Sequence, residues 1–337
     1  MKKFTIAALA IVSLAAFTKS ELVDQTPAQE ITYQTLTTKA AEPFDVNHKF
    51  TTYAVFLEES KNWDTNKGYA TEYIWDAKIT YVPADSCWKN PSTTYYWPKQ
   101  GSLTFFAWSD NTDKCNIPEG ASIGCDKNTG IVVNSYSLLS NTNYDLLVAD
   151  IAKDQTMNTA KVSVWKKGVP TVFRHAQSDL VFRVLTDKDY SGVTFTVKSI
   201  KLTGVGVSGS FDQHSGPKGI WTVTSTGELN VFTNGAEGKV DGVTPKTLAP
   251  AAADYHIVIP QKIPDNAKLV LEYDVKTNYG VTATVPVKVE KVLKDIYTAD
   301  WEFGKKYTLD ITLGLDEILW APSVEDWEVG TVSGIQA

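Results

Sequence analysis

The chain has 337 residues, a formal net charge of −7 and 43% hydrophobic residues, which is enough apolar material for buried cores. An acidic chain lacks the basic surface that nucleic acids require, so we expect no nucleic-acid partner. The length exceeds what one core usually serves and predicts two domains. Ten tryptophans, with abundant Tyr, Thr and Val, favour strands over helices.

The first 20 residues have the pattern of a secretory signal peptide. Lys2 and Lys3 precede a short apolar run that ends at Phe17, and Ser20 follows in a polar segment. The run is too short for a permanent membrane anchor, so we expect export and cleavage. The residues Leu14–Ala16 are those that a lipid-attaching signal peptidase reads before its cysteine, but Phe17 has no thiol to acylate. Either that cysteine has been lost or another peptidase cuts nearby.

Residues 21–39 are predicted to be a propeptide that contains one removable strand. Ile31, Tyr33 and Thr35 alternate with polar residues, as in a half-buried strand. Lys39 follows, and small residues begin at Ala40. A strand that ends at an exposed basic residue is a segment that a protease can remove.

The rest of the chain alternates between apolar and polar residues, which predicts an all-β fold. Alternate residues are apolar from Tyr307 to Leu315 and again from Val281 to Val289. In the second stretch Pro286 is predicted to face outward on an edge strand, because proline cannot donate to a ladder. Another strand changes phase at Ile200, which predicts a bulge near Ser199. In the first half, strands are predicted near 49–57, 70–82, 93–98, 102–108 and 143–150.

A short polar join at 165–170, marked by glycine and proline, is the predicted domain boundary. It divides the mature chain into an N-terminal domain, 40–167, and a C-terminal domain, 168–337. Both are predicted to be β-sandwiches.

Three cysteines in an exported chain allow one disulfide and leave one thiol. Cys115 and Cys125 flank a loop-like stretch and form the candidate pair, with Cys87 left over. Three unlinked thiols are the alternative. No closely spaced cysteine pair has a histidine nearby, so we expect no zinc site.

The sequence predicts no catalytic residues, no cofactor and no metal. Two loops, 64–68 and 126–130, resemble the start of a calcium loop but lack its closing glutamate, and Asx-turns explain them better. His175, Ser178 and Asp179 lie close in sequence, but extended chain places neighbours on opposite faces. We therefore expect the protein not to be an enzyme.

Five tryptophans, Trp63, Trp75, Trp88, Trp97 and Trp108, crowd into residues 63–108 of the first domain, where an exposed aromatic platform could bind the faces of sugars. Trp63 and Trp88 lie in polar stretches and are predicted to be the exposed pair. Burial of most of these rings in the core is the alternative.

Four segments together resemble the fimbrillin family, the pilins of type V pili. They are 95–110 ("YYWPKQGSLTFFAWSD"), 144–150 ("YDLLVAD"), 172–184 ("VFRHAQSDLVFRV") and 301–330 ("WEFGKKYTLDITLGLDEILWAPSVEDWEVG"). None is a catalytic signature. The resemblance implies two tandem β-sandwich domains of transthyretin-like topology and export to the cell outer membrane and fimbrium.

The resemblance also implies how such a chain matures. The family's lipid-bearing cysteine corresponds to Phe17 here. A trypsin-like protease removes the N-terminal strand by cutting after Arg or Lys, which by position is Lys39, giving a mature start at Ala40. An Arg-only protease would not process this chain. A strand from a neighbouring subunit then fills the groove, and Val329, Val332 and Ile335 are candidate anchors of such a donor strand.

Three functions are therefore compared. The first is a structural pilus subunit, whose partners are sibling or identical subunits and a trypsin-like maturation protease. The second is a surface adhesin or glycan-binding module, with host glycans or proteins as partners, at a pilus tip for example. A surface glycoside hydrolase is a distant third.

Overall fold

The computed structural model describes residues 28–36, 44–141, 143–158, 168–214, 219–233, 237–240, 242–248, 256–278, 283–316 and 318–327. These ranges contain twenty strands, one four-residue helix, α1 (Trp63–Asn66), and short 3-10 turns at Lys67–Tyr69 and Leu293–Asp295. The prediction of an all-β fold is confirmed.

The first ten strands belong mainly to the N-terminal half. They are β1 (Tyr33–Leu36), β2 (Phe50–Leu57), β3 (Thr71–Val82), β4 (Cys87–Lys89), β5 (Ser102–Ser109), β6 (Ser122–Asp126), β7 (Gly130–Ser137), β8 (Leu147–Ala149), β9 (Ala152–Gln155) and β10 (Val169–His175). The predicted strands near 49–57, 70–82 and 102–108 correspond to β2, β3 and β5. The predicted strand at 93–98 is instead an irregular segment with one bridge, between Tyr96 and Glu30.

Seven of these strands form a closed hydrogen-bonded path, which we call the N-terminal sheet. The order is β2-β3-β4-β1-β10-β8-β5, and β5 pairs again with β2; β9 pairs with β5 from outside the path. The strand β1 runs parallel to β10 and antiparallel to β4. The earliest strand of the described chain therefore closes the path.

The N-terminal sheet encloses an aromatic core. Its members are all nearly inaccessible to solvent and include Ile31, Tyr33, Phe44, Phe50, Ile74, Ile79, Trp88, Trp97, Leu103, Phe105 and Phe173. The central strand β5 is buried on both faces, because Phe106 and Trp108 point away from this core into a second one. The second core continues into the C-terminal half.

The C-terminal half contributes ten further strands. They are β11 (Ser178–Thr186), β12 (Val193–Asp212), β13 (Ile220–Phe232), β14 (Lys239–Val240), β15 (Lys246–Leu248), β16 (His256–Val258), β17 (Lys268–Thr277), β18 (Ala283–Val292), β19 (Lys305–Leu313) and β20 (Ile318–Asp326). One sheet has the order β15-β11-β19-β20, with β16 also on β11. The other has the order β18-β17-β12-β7-β6, with β13 and β14 on the opposite edge of β12.

These two sheets share the second core and form a sandwich. The predicted alternation of β19 is confirmed at Tyr307, Leu309, Ile311 and Leu313, which are buried, but Leu315 lies beyond the strand and is exposed. The predicted bulge is also present, because the pairing of β12 with β17 shifts between Val197 and Ser199.

Two predictions differ from the structure in detail. Within the described residues β18 pairs only with β17, as expected for an edge strand, but Val285 is exposed rather than inward. The predicted boundary at 167/168 precedes β10, whose hydrogen bonds go to β1 and β8 of the N-terminal sheet. Pairing also joins β7, which precedes β10, to β12 of the other half, so the domain boundary at 167/168 stays a prediction.

Candidate functional site: the N-terminal strand and its groove

The segment 29–36 lies in a groove between β10 and residues 88–97. On one side, the Ile31 amide donates to the Tyr95 carbonyl at 2.8 Å, and the Trp97 amide donates to the Gln29 carbonyl at 2.9 Å. On the other side, the Val169 amide donates to the Thr32 carbonyl at 2.7 Å. The segment therefore satisfies backbone groups on both walls of the groove.

Two side chains of this segment enter the aromatic core. Ile31 and Tyr33 are 3% and 2% exposed. The Tyr33 ring meets Phe50 and Phe105 edge to face, with centroids 5.6 and 5.8 Å away. Burial of two such side chains contributes roughly 3–6 kcal/mol in apolar transfer alone. The alternation that predicted this strand thus reflects real burial.

The Tyr33 hydroxyl is buried without a hydrogen-bond partner in the described part of the chain. Burial raises the pKa of Tyr33 well above its ordinary value, and the adjacent Thr52 side chain opposes this only in part. The Thr52 hydroxyl itself donates to the Phe106 carbonyl at 3.1 Å. The pocket therefore surrounds the ring with apolar contacts, and the Thr52 side chain is the polar group beside the hydroxyl.

Aromatic rings that follow the predicted cleavage point in the sequence line the groove. Phe44 stacks on Phe173 with centroids 4.7 Å apart and lies 5.3 Å from Trp88. Phe50 contacts both Trp88 and Phe173. Because Phe44 follows Lys39 in the sequence, this part of the lining would stay with the chain after cleavage.

Gly168 allows the close approach of the strand to β10. Its φ is +144°, and a Cβ there would lie 2.4 Å from the Thr32 carbonyl oxygen and 2.8 Å from the Tyr33 nitrogen. A side chain at this position would collide with the backbone of the segment. At the rim of the groove, Lys89 Nζ lies 3.4 Å from Glu30 and 2.8 Å from Asp85.

Several predicted site residues lie outside the described residues. They are Phe17, Lys39 and Ala40 near the N-terminus and the donor candidates Val329, Val332 and Ile335 near the C-terminus. Their assignments stay predictions.

The prediction that Trp63 and Trp88 are exposed is wrong. Trp63 is fully buried in α1, where its Nε1 donates to the Lys127 carbonyl at 3.1 Å and its ring meets Phe106 edge to face. Trp88 is 4% exposed because β4 places it in the aromatic core. Polar sequence neighbours do not keep a ring at the surface when the backbone folds it inward.

Other aromatic residues of the N-terminal half are exposed instead, and sequence reasoning missed them. Tyr69, Tyr73, Trp75 and Tyr96 expose between 38% and 72% of their surface. Tyr73 donates to the Tyr96 carbonyl at 2.6 Å, and Trp75 meets Tyr53 edge to face at 5.1 Å. The i, i+2 spacing of Tyr73 and Trp75 was the available signal, because it is typical of one face of a regular strand. The register of β3 with β2 shifts on both sides of Ala54, however, and Tyr73 lies against Phe56 while Trp75 lies against Tyr53.

The predicted disulfide is absent, and none of the three cysteines, all of which lie in the described ranges, forms a disulfide. Cys115 is buried, with its sulfur 3.5 Å from the Thr51 hydroxyl and 3.7 Å from the Trp108 carbonyl. Cys125 lies on β6, with its sulfur 3.6 Å from the Asp126 carbonyl. Burial raises the pKa of both thiols. The two side chains serve different neighbours, and the alternative of unlinked thiols is the one observed.

Polar groups gather where the two halves meet. His175 Nδ1 lies 2.7 Å from Asp145 Oδ1, and Asn111 donates to Asp145 Oδ2 at 3.0 Å. The ring of Trp327, just after β20, stacks on His175 with centroids 3.6 Å apart. The Trp327 amide donates to the Gly304 carbonyl at 2.8 Å. The C-terminal end of β20 is thus tied to the end of β10.

Asp179, at the start of β11, is the most anomalous of these groups. It is completely buried, and neither carboxylate oxygen has a hydrogen-bond partner in the described ranges. Burial raises its pKa to about 7, although Lys306 Nζ, 3.9 Å from Oδ2, opposes the shift. His175, Ser178 and Asp179 make no triad, because Ser178 donates to the Glu302 carbonyl.

The described residues contain no group of three or more His, Cys, Asp or Glu side chains that could hold a metal ion. Within the same ranges, no helix is both long and apolar enough to cross a membrane.

Solved structures with similar folds include proteins from two Bacteroides species. A fimbrial protein from Bacteroides vulgatus aligns with a TM-score of 0.63 and 17% identity, covering 88% of this chain and 99% of that one. A candidate cell adhesion protein from Bacteroides uniformis aligns with a TM-score of 0.53 and 14% identity, covering 88% and 99%. At these identities the likeness shows the fold alone. A search of curated proteins finds no match.

The sequence itself matches one family model along most of its length. The model describes fimbrillin-like proteins, and the match extends over residues 35–327. It spans β2 to β20 and both halves of the fold, and it begins inside β1. The chain therefore belongs to the fimbrillin-like family.

Proposed function

We propose that this chain is a pilus subunit that is exported as a precursor, cut after Lys39 by a trypsin-like protease, and polymerised when a strand of another subunit replaces β1. A fimbrillin-like chain is a pilus or adhesion subunit of the cell surface, and the proposal adds the route of assembly. The observation that carries it is the position of β1, which closes the N-terminal sheet and fills its core.

The physical consequence of losing β1 supports strand exchange. Its departure would leave the facing edges of β4 and β10 unpaired and would expose the pocket of Tyr33 and Ile31. Unpaired strand edges beside an apolar trough are a template for another strand. A donor strand would restore both the ladder and the buried area, which is β-augmentation.

Proteolysis with intact mass measurement tests the proposal. Limited trypsin treatment of the folded precursor is expected to cut after Lys39, and electron microscopy is expected to show filaments or ladders only after the cut. The precursor with Lys39→Gln is the matched control and should stay monomeric under the same treatment. Equal polymerisation of the uncut precursor would contradict the maturation step.

A second candidate, a glycan-binding adhesin, is favoured by one observation. Tyr73, Trp75 and Tyr96 of the N-terminal half each have an exposed ring, and exposed rings bind the apolar faces of sugars. Binding to a glycan array, with a shift in tryptophan fluorescence that Trp75→Ala abolishes, would support it. Absence of binding to every glycan would leave the structural subunit as the sole function.

The partners follow from the same proposal. They are sibling or identical pilus subunits, a trypsin-like maturation protease that accepts lysine, and, for the adhesin, host glycans or proteins at the cell surface. Strand exchange between subunits requires no cofactor and no enzymatic activity of the chain itself.

A further inference from the structure

The Tyr33 pocket specifies which strand the groove accepts. We propose that the groove selects an incoming strand by an aromatic ring at the position of Tyr33, and that its occupant is a strand of a different subunit bearing Phe or Tyr there. This inference rests on the proposed function above. It adds a chemical requirement that distinguishes donors.

The lining of the pocket carries the first step. The Tyr33 ring is 2% exposed and meets Phe50 and Phe105 edge to face. Such pairs contribute beyond their buried area, because the positive edge of one ring faces the negative face of the other. An aliphatic side chain would lose these contacts and leave part of the pocket empty. Empty volume in a packed core is costly.

The hydroxyl of Tyr33 carries the second step. It is buried and has no hydrogen-bond partner within the described ranges. A group that is desolvated without a partner contributes nothing favourable, and its removal is neutral or stabilising. The pocket therefore recognises the ring, and phenylalanine should satisfy it as well as tyrosine.

The backbone carries the third step, because it fixes the register of the ring. Tyr33 lies opposite Val169 on β10 and opposite Trp88 on β4. Gly168 admits the close approach of the segment's backbone at Thr32 and Tyr33. A shift by one residue would turn every side chain to the other face. A donor must therefore present its ring at one defined position.

The chain's own C-terminal residues are a poor match for the Tyr33 pocket. Residues 328–337, with the sequence EVGTVSGIQA, contain no aromatic residue. Val329, Val332 and Ile335 are smaller than the ring that the pocket holds. The neighbouring Trp327 is already stacked on His175 and hydrogen-bonded to Gly304. We therefore assign the donor to a different subunit rather than to the tail of a second copy.

A peptide exchange assay on the cleaved, full-length protein tests this. The cleaved protein is loaded with a fluorescent peptide of residues 28–39, and unlabelled peptides compete for the groove. We expect Tyr33→Phe to compete within about threefold of the unsubstituted peptide and Tyr33→Ala to be roughly 100-fold weaker or more. The control peptide Thr35→Ala, changed on the same face at a half-buried position, should compete nearly as well as the unsubstituted one.

The outcomes separate the two proposals. Equal competition by the Tyr33→Ala peptide would overturn the aromatic requirement while leaving strand exchange intact. Competition by a peptide of residues 327–337 as strong as that of the unsubstituted peptide would overturn the assignment to a different subunit. Failure of the unsubstituted peptide to bind the cleaved protein at all would overturn strand exchange and this inference with it.

Discussion

Replacement of Asp179 by asparagine should stabilise the protein at neutral and alkaline pH. The buried carboxyl has a pKa of about 7, whereas an unfolded chain gives aspartate a pKa of roughly 3.9. Burial is the main cause, and the charges of Asp145 and Glu325 raise the pKa further. Asparagine has nearly the same shape and carries no charge, so it removes the cost of ionising a buried acid.

The sign and size of the effect follow from proton linkage. Because the folded state holds a proton that the unfolded state releases, the stability that this proton provides is present below pH 4. It is lost progressively between pH 4 and 7. A difference of about three pKa units corresponds to roughly 4 kcal/mol at pH 8, which is an upper bound. We expect Asp179→Asn to raise the free energy of unfolding at pH 8 by about 2–4 kcal/mol and to change it little at pH 4.

Urea denaturation followed by tryptophan fluorescence at pH 4 to 8 measures this. Asp310→Asn on the same sheet is the matched control. Asp310 accepts two hydrogen bonds from Arg183, at 2.6 and 2.7 Å, so its loss should lower stability at pH 8 instead. If Asp179→Asn were destabilising at pH 8, or left the slope of stability against pH unchanged, the assignment of a buried acid whose ionisation lowers stability would be refuted.

Three further predictions concern packing and the thiols. Gly168→Ala should loosen β1 and speed cleavage of the precursor by trypsin, because the added Cβ meets the Thr32 carbonyl at 2.4 Å; an unchanged rate would contradict that close approach. Trp63→Ala should lower the free energy of unfolding by roughly 3–5 kcal/mol in urea denaturation, whereas a surface ring would lose almost nothing. When the denatured, unreduced protein is alkylated, its mass should increase by three alkyl groups, one for each cysteine. If Cys115 and Cys125 were both protected, a disulfide between them would be shown instead.

The sequence predicted local structure well where one face of a strand is buried. The alternation in β19 and the bulge near Ser199 both depend on neighbours within a few residues, and both are present in the structure. The closure of the N-terminal sheet could not be predicted in the same way, because β1 pairs with β10, which lies far along the chain. No local pattern reports which distant strand will lie beside Tyr33.

The failures at the candidate site have a common physical cause. Trp63 is surrounded by polar residues in sequence, but α1 folds back so that its ring packs against Phe106. Cys115 and Cys125 are near in sequence, but their backbones direct the sulfurs to separate neighbours. Exposure and pairing of side chains are tertiary properties, whereas composition and spacing describe only the local chain.

The arrangement of β10 has a mechanical consequence for a filament. Only Ala176 and Gln177 separate β10, which borders the groove, from β11 at the centre of a C-terminal sheet. A donor strand paired with β10 would be pulled along its own axis. The hydrogen bonds between the two strands would then be loaded together in shear and would not open one at a time. Tension would then pass through continuous backbone into the next sheet, and the subunit would resist extension without any covalent joint to its neighbour.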